Sequence, residues 1–432
     1  MTLRQSEQIV VIGAGAAGLM AARELGRAGK RVTILEARDR CGGRINPLPH
    51  SVFGYGAEGG AEFIHGKAPV TRALLREAGL SLLPVKGARW SVDQGGFSQD
   101  KAPDPHTDRL QAVLAELKAD LTVTDFLKQH FAGPEYSQLR HSIRRMVEGY
   151  DAADPARASI LALRDEWMNS GRSGQARIAG GYGALIDFLT AECRKQGSAI
   201  HLGAAVSAVE TAGRRALVRC ADGKTYTGDA VVVAVPLPLL REITLPAEAS
   251  ERAEAAADIG FGNVIKLLVR FKSRWWIGAK ATDLSDLLFL ISDRAIPVWW
   301  TQHPTDQPVL TGWFAGPKTK AMANFDESEL IEIGLASLSE IFGVSAQQLI
   351  GDVVAARAIN WANDPFARGA YSYATLKTRA AQSALASSSG PILFSGEALY
   401  RGPDMGTVEA ALASGLETAR SQSGNGYDRN SA

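Results

Sequence analysis

At 432 residues the chain is too long for one small core, and about two domains are expected. Its 47 Lys+Arg against 46 Asp+Glu give a net charge of +1, so no broad field draws it to nucleic acid or to an anionic membrane. Three cysteines, Cys41, Cys193 and Cys220, are odd in number and far apart, which argues against a disulfide scaffold or a zinc site and fits a reducing compartment.

Met1–Gln8 is a polar stub with no signal-peptide core. The longest apolar run, Ala230 to Leu240, is broken by Pro236 and Pro238 and falls short of the roughly 20 residues that span a bilayer. A cytoplasmic protein without a membrane partner is expected. Ile9–Ile12 is a β-branched run, followed by Gly-Ala-Gly-Ala-Ala-Gly (13–18), a helical stretch Leu19–Ala28 and a second strand Arg31–Glu36, which together make one βαβ unit. Gly13 permits the tight turn, Gly15 lets a pyrophosphate approach backbone, Ala16 and Ala17 open the helix, and Gly18 lets helix pack on strand. Glu36 ends the second strand, where a carboxylate accepts from ribose hydroxyls and repels a 2′-phosphate. A dinucleotide other than NADP is the expected ligand.

From Thr107 to Tyr150 apolar residues fall at helical spacing (Leu110, Val113, Leu114, Leu117, Leu121), and more helix follows over Pro155–Trp167, so a helical insertion is expected. Strand signals return at Ala199–Leu202, Ala216–Cys220 with the turn Ala221–Lys224, and Ala230–Val235. A second sheet, rich in Trp, is expected from Val264–Phe271, Leu287–Ile291, Val298–Thr301 and Val309–Phe314. A helix near Glu327–Phe342, a strand Ile392–Ser395, a small-residue helix from Gly406 to Arg420 and a disordered tail over 421–432 complete the pattern. Lys266 stands out: a lysine within an apolar strand is costly to bury without a hydrogen-bonded partner.

Arg38-Asp39-Arg40-Cys41-Gly42-Gly43-Arg44, directly after Glu36 and Ala37, resembles the second glycine motif of the FAD-binding amine oxidases. The resemblance runs on through Gly60-Ala61-Glu62-Phe63-Ile64-His65-Gly66, Ala179–Gly183, Val206, Val231–Leu240, Gly262–Lys266, Trp361–Tyr373, Phe394–Ala398 and Gly406–Gly415. It implies an α/β fold in which a Rossmann-like FAD-binding domain of the glutathione-reductase/amine-oxidase type (1–80, 195–255, 385–425) is interleaved with an α+β substrate domain (81–194, 256–384) carrying a mixed sheet and the helical insertion. It implies cofactor contacts from Gly13, Gly15, Ala16, Ala17, Gly18, Glu36, Ala37, Arg38, Gly42, Gly43, Arg44, Gly60, Ala61, Glu62, Phe63, Val206, Gly396, Glu397, Thr407 and Val408. It also implies that Lys266 holds a water against flavin N5, that Trp361 and Tyr371 line the site, and that His65 lies on the substrate side. The last helix would aim its N-terminus, at Thr407 and Val408, at the flavin ring, whose charge appears on reduction.

Monoamine oxidases carry an FAD-linked cysteine immediately before the tyrosine; here that place is Ala370, so FAD is expected to be non-covalent. They place a second cage tyrosine where Thr407 stands, and this departure leans the resemblance towards polyamine oxidases. The implied reaction is hydride transfer from the α-carbon of a neutral amine to flavin N5. The resulting imine hydrolyses, and O2 or another acceptor reoxidises the flavin. No metal is required, and homodimerisation stays open. Of Trp275, Trp276, Trp299, Trp300 and Trp313, most are expected in the core and one or two on a substrate tunnel. Glu62, Asp283 and Asp286 are candidates for a polyamine's distal charges. Alternatives are an L-amino-acid oxidase, needing a carboxylate-binding arginine such as Arg89, Arg164 or Arg294, an FAD-dependent desaturase, and a non-catalytic binder of the Rab-escort type.

Overall fold

The computed structural model describes residues 6–93, 96–99, 104–170, 174–213, 215–387 and 390–422. The βαβ unit opens it: β1 (Gln8–Ile12), α1 (Ala16–Arg27) and β2 (Arg31–Leu35). They belong to a five-stranded parallel sheet in the order Ile392–Phe394, Ala230–Val233, β1, β2, Ala199–His201. β1 is apolar almost throughout because both faces of a parallel sheet are covered. Ile9 and Val11 point to one side and meet Leu19 and Leu25 of α1, Leu185 and Leu189 of the helix Tyr182–Lys195, and Leu412 of the last helix, Val408–Gln422. Val10 and Ile12 point to the other and meet Val209 and Val218 of a three-stranded antiparallel sheet, with Ala381 and Leu385 beyond. The last helix lies close on α1 because both present small residues: a Cβ on Gly415 would stand 2.3 Å from the carbonyl oxygen of Ala17.

The second sheet has seven strands in the order Val353–Asn360, Val264–Phe271, Val309–Ala315, Val298–Trp300, Leu287–Ile291, Ala88–Asp93, Gly96–Gln99. It is mixed, since Leu287–Ile291 pairs in parallel with Ala88–Asp93 while the other pairs are antiparallel. Alternation along Val264–Phe271 sorts its side chains. Ile265, Leu267 and Val269 face the helix Glu327–Phe342, which starts in a capping box of Asp326 and Glu329 and ends at left-handed Gly343. Val264, Lys266 and Leu268 point to the opposite face, towards the nucleotide-type domain. The helices Thr107–Glu116, Val123–His130, Ser137–Gly149 and Ile160–Ser170 close over that face around a core of their own that includes Phe126, Phe131, Ile143 and Val147.

Several expectations need correction. Tyr182–Lys195, assigned from sequence to the substrate domain, packs beneath the parallel sheet instead. The last helix continues to Gln422, so 421 and 422 are ordered, and 423–432 lie outside the described residues. The strands Val206–Ala212, Val353–Asn360 and the hairpin Ala88–Asp93/Gly96–Gln99 carried too little apolar alternation to be seen.

Candidate active site

One cleft of about 1860 Å³ runs from the C-terminal end of β1, between the two sheets, to the helical insertion. At the β1 end Gly13 adopts φ +101°, and a Cβ there would press to 2.8 Å on the carbonyl oxygen of Ala234. Gly15 meets nothing within 4 Å on the side where a Cβ would project, so its backbone borders open space. α1 begins at Gly15 without a side-chain cap, which leaves its N-terminal N–H groups facing the cleft where a phosphate binds best. Gly18 is not on the cleft wall: a Cβ there would stand 1.9 Å from the carbonyl oxygen of Gly13, so it serves packing rather than contact.

Buried Glu36 accepts from Ala14 N at 2.7 Å through Oε2 and from Arg38 N at 2.9 Å through Oε1. Both oxygens keep lone pairs for hydroxyl donors. The second glycine turn sits against the first, with Gly42 N donating to Ala14 O at 2.8 Å. Arg38 spends its guanidinium fork on Asp364, and Arg44 donates to Ala370 O at 2.7 Å and to Glu397 Oε1 at 2.9 Å. Glu397 Oε2 is buried without a partner among the described residues. Ala16, Ala17, Ala37, Gly43, Val206, Gly396 and Val408 complete this wall. Open backbone at Gly15, an uncapped helix start and an acid placed for hydroxyls fit an adenine dinucleotide.

Further in, Gly60, Ala61, Glu62, Phe63, His65, Lys266, Trp361, Tyr371 and Thr407 line the same cleft. Lys266 is 1% exposed, and its Nζ donates to Gly60 O at 3.0 Å and Glu62 Oε2 at 2.9 Å. The ammonium also lies 5.4 Å from the centre of the Trp300 ring. Glu62, on the cleft wall, is thus the ion-pair partner of Lys266. It also accepts from Arg177 Nε at 2.9 Å, Trp300 Nε1 at 3.1 Å and Gln302 Nε2 at 3.0 Å. Burial alone would raise its pKa, but Lys266 and Arg177 outweigh that and hold it at about 2.

His65 Nδ1 lies 3.0 Å from Tyr150 Oη and 3.2 Å from Gln175 Nε2, and burial pushes its pKa down to about 4. It is a neutral acceptor, not a cation, at physiological pH. Tyr371 Oη donates to Tyr150 O at 2.6 Å, and Trp361 Nε1 to Gly59 O at 3.3 Å, so each ring is fixed by its polar end. Thr407 accepts from Ala410 N at 3.2 Å and caps the last helix. Trp300 and Trp313 line the cleft, whereas Trp276 and Trp299 are core.

Of the acids proposed from sequence for distal charges, Glu62 lines the cleft in its ion pair with Lys266, whereas Asp283 and Asp286 lie elsewhere. Asp283 and Asp286 border a separate surface dent, and Asp286 accepts from Trp90 Nε1. Three acids that the sequence reading passed over, Asp151, Glu166 and Asp404, do reach the cleft. Arg164 pairs with Asp165 and Arg294 with Glu340, which leaves neither as a ready clamp for an amino-acid carboxylate. No group of three metal-ligating side chains occurs among the described residues.

A model of the flavin-containing amine oxidoreductases matches residues 16–421. The chain belongs to that family. Relatives of this chain include human "Lysine-specific histone demethylase 2", 26% identical over 447 residues that make up 96% of this chain and 53% of the demethylase. Arabidopsis thaliana "Polyamine oxidase 2" is 26% identical over 410 residues, 85% of this chain and 78% of that one. The chain spans about half or less of the demethylases it matches. Among solved structures, wild-type putrescine oxidase bound to putrescine superposes with a TM-score of 0.76 at 20% identity, covering 97% of this chain and 99% of that one. Cyclohexylamine oxidase from Brevibacterium oxydans gives 0.78 at 19%, covering 98% and 99%. These two share the fold. Family and cleft together make FAD the cofactor.

Proposed function

We propose that this protein oxidises a small-molecule amine with non-covalently held FAD and passes the electrons to O2 or another acceptor. When bound, FAD supplies the two-electron acceptor for the hydrogen on the amine α-carbon, and water hydrolyses the resulting imine to a carbonyl compound. The protein's own groups hold and orient. Gly13, Gly15, Ala16, Ala17, Glu36, Ala37, Gly42, Gly43, Val206, Gly396 and Val408 would seat the dinucleotide, with Arg38, Arg44 and Glu397 bracing the wall. Tyr371 and Trp361 form aromatic walls that fix the amine and exclude water, and orientation in such a pocket supplies most of the rate. Neutral His65 offers an acceptor near Tyr371 without adding charge.

The observation that carries the reading is Lys266. An almost fully buried ammonium spends two of its three N–H groups on Gly60 O and Glu62 and keeps the third for a water or substrate in the cleft. Ala370 stands where a linked cysteine would be, which supports non-covalent FAD. Free Cys41, Cys193 and Cys220 support a reducing, cytoplasmic setting. No described helix is long and apolar enough to cross a membrane.

Anaerobic mixing of the FAD-loaded protein with polyamines, aromatic monoamines and amino acids, read by flavin absorbance, tests the proposal. Bleaching by an amine class is expected, with kcat/KM rising with pH as the substrate loses its proton. A yellow protein that no amine bleaches would overturn it.

A further inference from the structure

We propose that Arg177, which stands off the cleft wall, is a positioning residue for the reaction site: it anchors Glu62 and leaves the cluster around Lys266 with one surplus positive charge facing the cleft. The inference rests on the reading of this cleft as a flavin site with Lys266 beside the ring, and it adds the residue that sets the charge and aim of Lys266.

Three consecutive residues back the site segment that runs from Glu62 to His65. Gln175 Nε2 lies 3.2 Å from His65 Nδ1. Ala176 exchanges backbone hydrogen bonds with Ile64, from Ile64 N to Ala176 O at 2.7 Å and from Ala176 N to Ile64 O at 3.2 Å. Arg177 Nε donates to Glu62 Oε1 at 2.9 Å. The short strand Ala176–Ile178 is thus the surface on which the segment is laid. The rest of the guanidinium reaches a third element, the end of the strand Val298–Trp300, where Nη2 donates to Thr301 O at 3.0 Å and Nη1 to His303 O at 3.4 Å. Its central carbon sits 4.6 Å from the centre of the Phe63 ring, so the same group steadies one aromatic wall of the cleft. A planar fork with all three nitrogens spent on fixed acceptors holds one geometry, which a flexible ammonium does not.

Charge makes this more than packing. Arg177 is 8% exposed and Lys266 1%, and both pair with the same carboxylate. They divide it: Arg177 takes Oε1 and Lys266 takes Oε2, which fixes the carboxylate plane and with it the direction of the third Lys266 N–H. Trp300 and Gln302 also donate to Glu62, but as neutral groups. Glu58, the preceding acid on the same segment, accepts from Gly183 N at 3.1 Å and forms no ion pair with either cation among the described residues; burial raises it to about 7. Lys266 and Glu62 alone would make a neutral pair. With Arg177 the buried cluster is a cation, presented to the cleft by Lys266. Negative charge appears on a flavin ring when it is reduced, so a fixed cation at this site favours the reduced form.

Two substitutions separate charge from packing. Arg177→Gln removes the charge and keeps a side-chain donor, whereas Arg177→Lys keeps the charge and loses the fork. The FAD-loaded proteins are reduced anaerobically by a chemical reductant alongside a redox dye, and the ratio of reduced to oxidised flavin is read at a fixed state of the dye, with thermal melts in parallel. In Arg177→Gln the ratio is expected to fall by about tenfold, the scale of one unit charge acting within a partly buried site. Arg177→Lys should hold it within about twofold of the parent. Both variants should melt lower, because each gives up bonds to Thr301 O and His303 O. If Arg177→Gln does not fold, Arg177→Met takes its place with the same expected fall. A neutral variant with the parent's ratio, or an equal fall in Arg177→Lys, would overturn the charge role and leave Arg177 a structural brace. The reductant requires no amine, so a failure of the amine reading shows separately, as a flavin that the reductant bleaches and no amine does. A parent protein that takes up no FAD would overturn both.

Discussion

Replacing either partner of the Glu62–Lys266 pair should give unequal losses. Glu62→Gln leaves Lys266 and Arg177 buried with their anion gone, since both pair with this one carboxylate at 2.9 Å. Stranding a buried charge in this way costs about 3–5 kcal/mol. The titration gives a similar figure: a carboxyl held at about 2 instead of 4.5 contributes about 3 kcal/mol at neutral pH. Lys266→Met keeps the volume of the side chain and leaves Glu62 with Arg177, Trp300 and Gln302. Its cost is about 1–3 kcal/mol, that of lost hydrogen bonds to a charged group. The folded-state pKa of Glu62 is depressed, so its stabilisation is complete above the ordinary carboxylate range and is lost as pH falls from about 4.5 towards 2. Thermal melts of the FAD-loaded proteins, followed by tryptophan fluorescence at neutral pH and near pH 4, measure this. Glu62→Gln is expected to melt lower than Lys266→Met at neutral pH, with the gap to the parent protein narrowing in acid. Equal melting of the two variants, or a gap that widens in acid, would refute the assignment of Glu62 as the shared anion.

Gly15→Val should fold yet lose FAD, seen as a colourless protein of unchanged far-ultraviolet spectrum, because Gly15 borders open space at an extended φ. Gly18→Ala should instead lose soluble protein, because its Cβ would sit 1.9 Å from Gly13 O. His65, held neutral by burial, should destabilise the fold as pH falls below about 6.5 towards 4, where the unfolded chain binds the proton first. His65→Gln should remove that component of acid sensitivity, checked by melts across this window. Tyr371→Phe gives up only a bond to Tyr150 O, so a fall in kcat of a few-fold is expected; Tyr371→Ala, which removes the wall, should cost far more, and stopped-flow flavin reduction separates the two.

Local chemistry wrote much of this protein into its sequence. The spacing of Gly13, Gly15 and Gly18 between β1 and α1 follows from backbone contact over a few residues, so the turn and its ligand class were legible, as was the helix Glu327–Phe342 from its period. Lys266 was legible too, because one cation in an apolar strand announces a buried partner. The partner was not, since Glu62 lies 204 residues away and only the meeting of two domains brings it within 2.9 Å. The same reason hid Asp151, Glu166 and Asp404. In one dimension each is an ordinary surface acid beside a helix, and their place on one cleft wall, with Asp151 buried, exists only once three distant segments meet. Short-range sterics and periodicity are properties of neighbouring residues, whereas desolvation and charge pairing depend on what else occupies the surrounding volume, and that is decided by the tertiary structure alone.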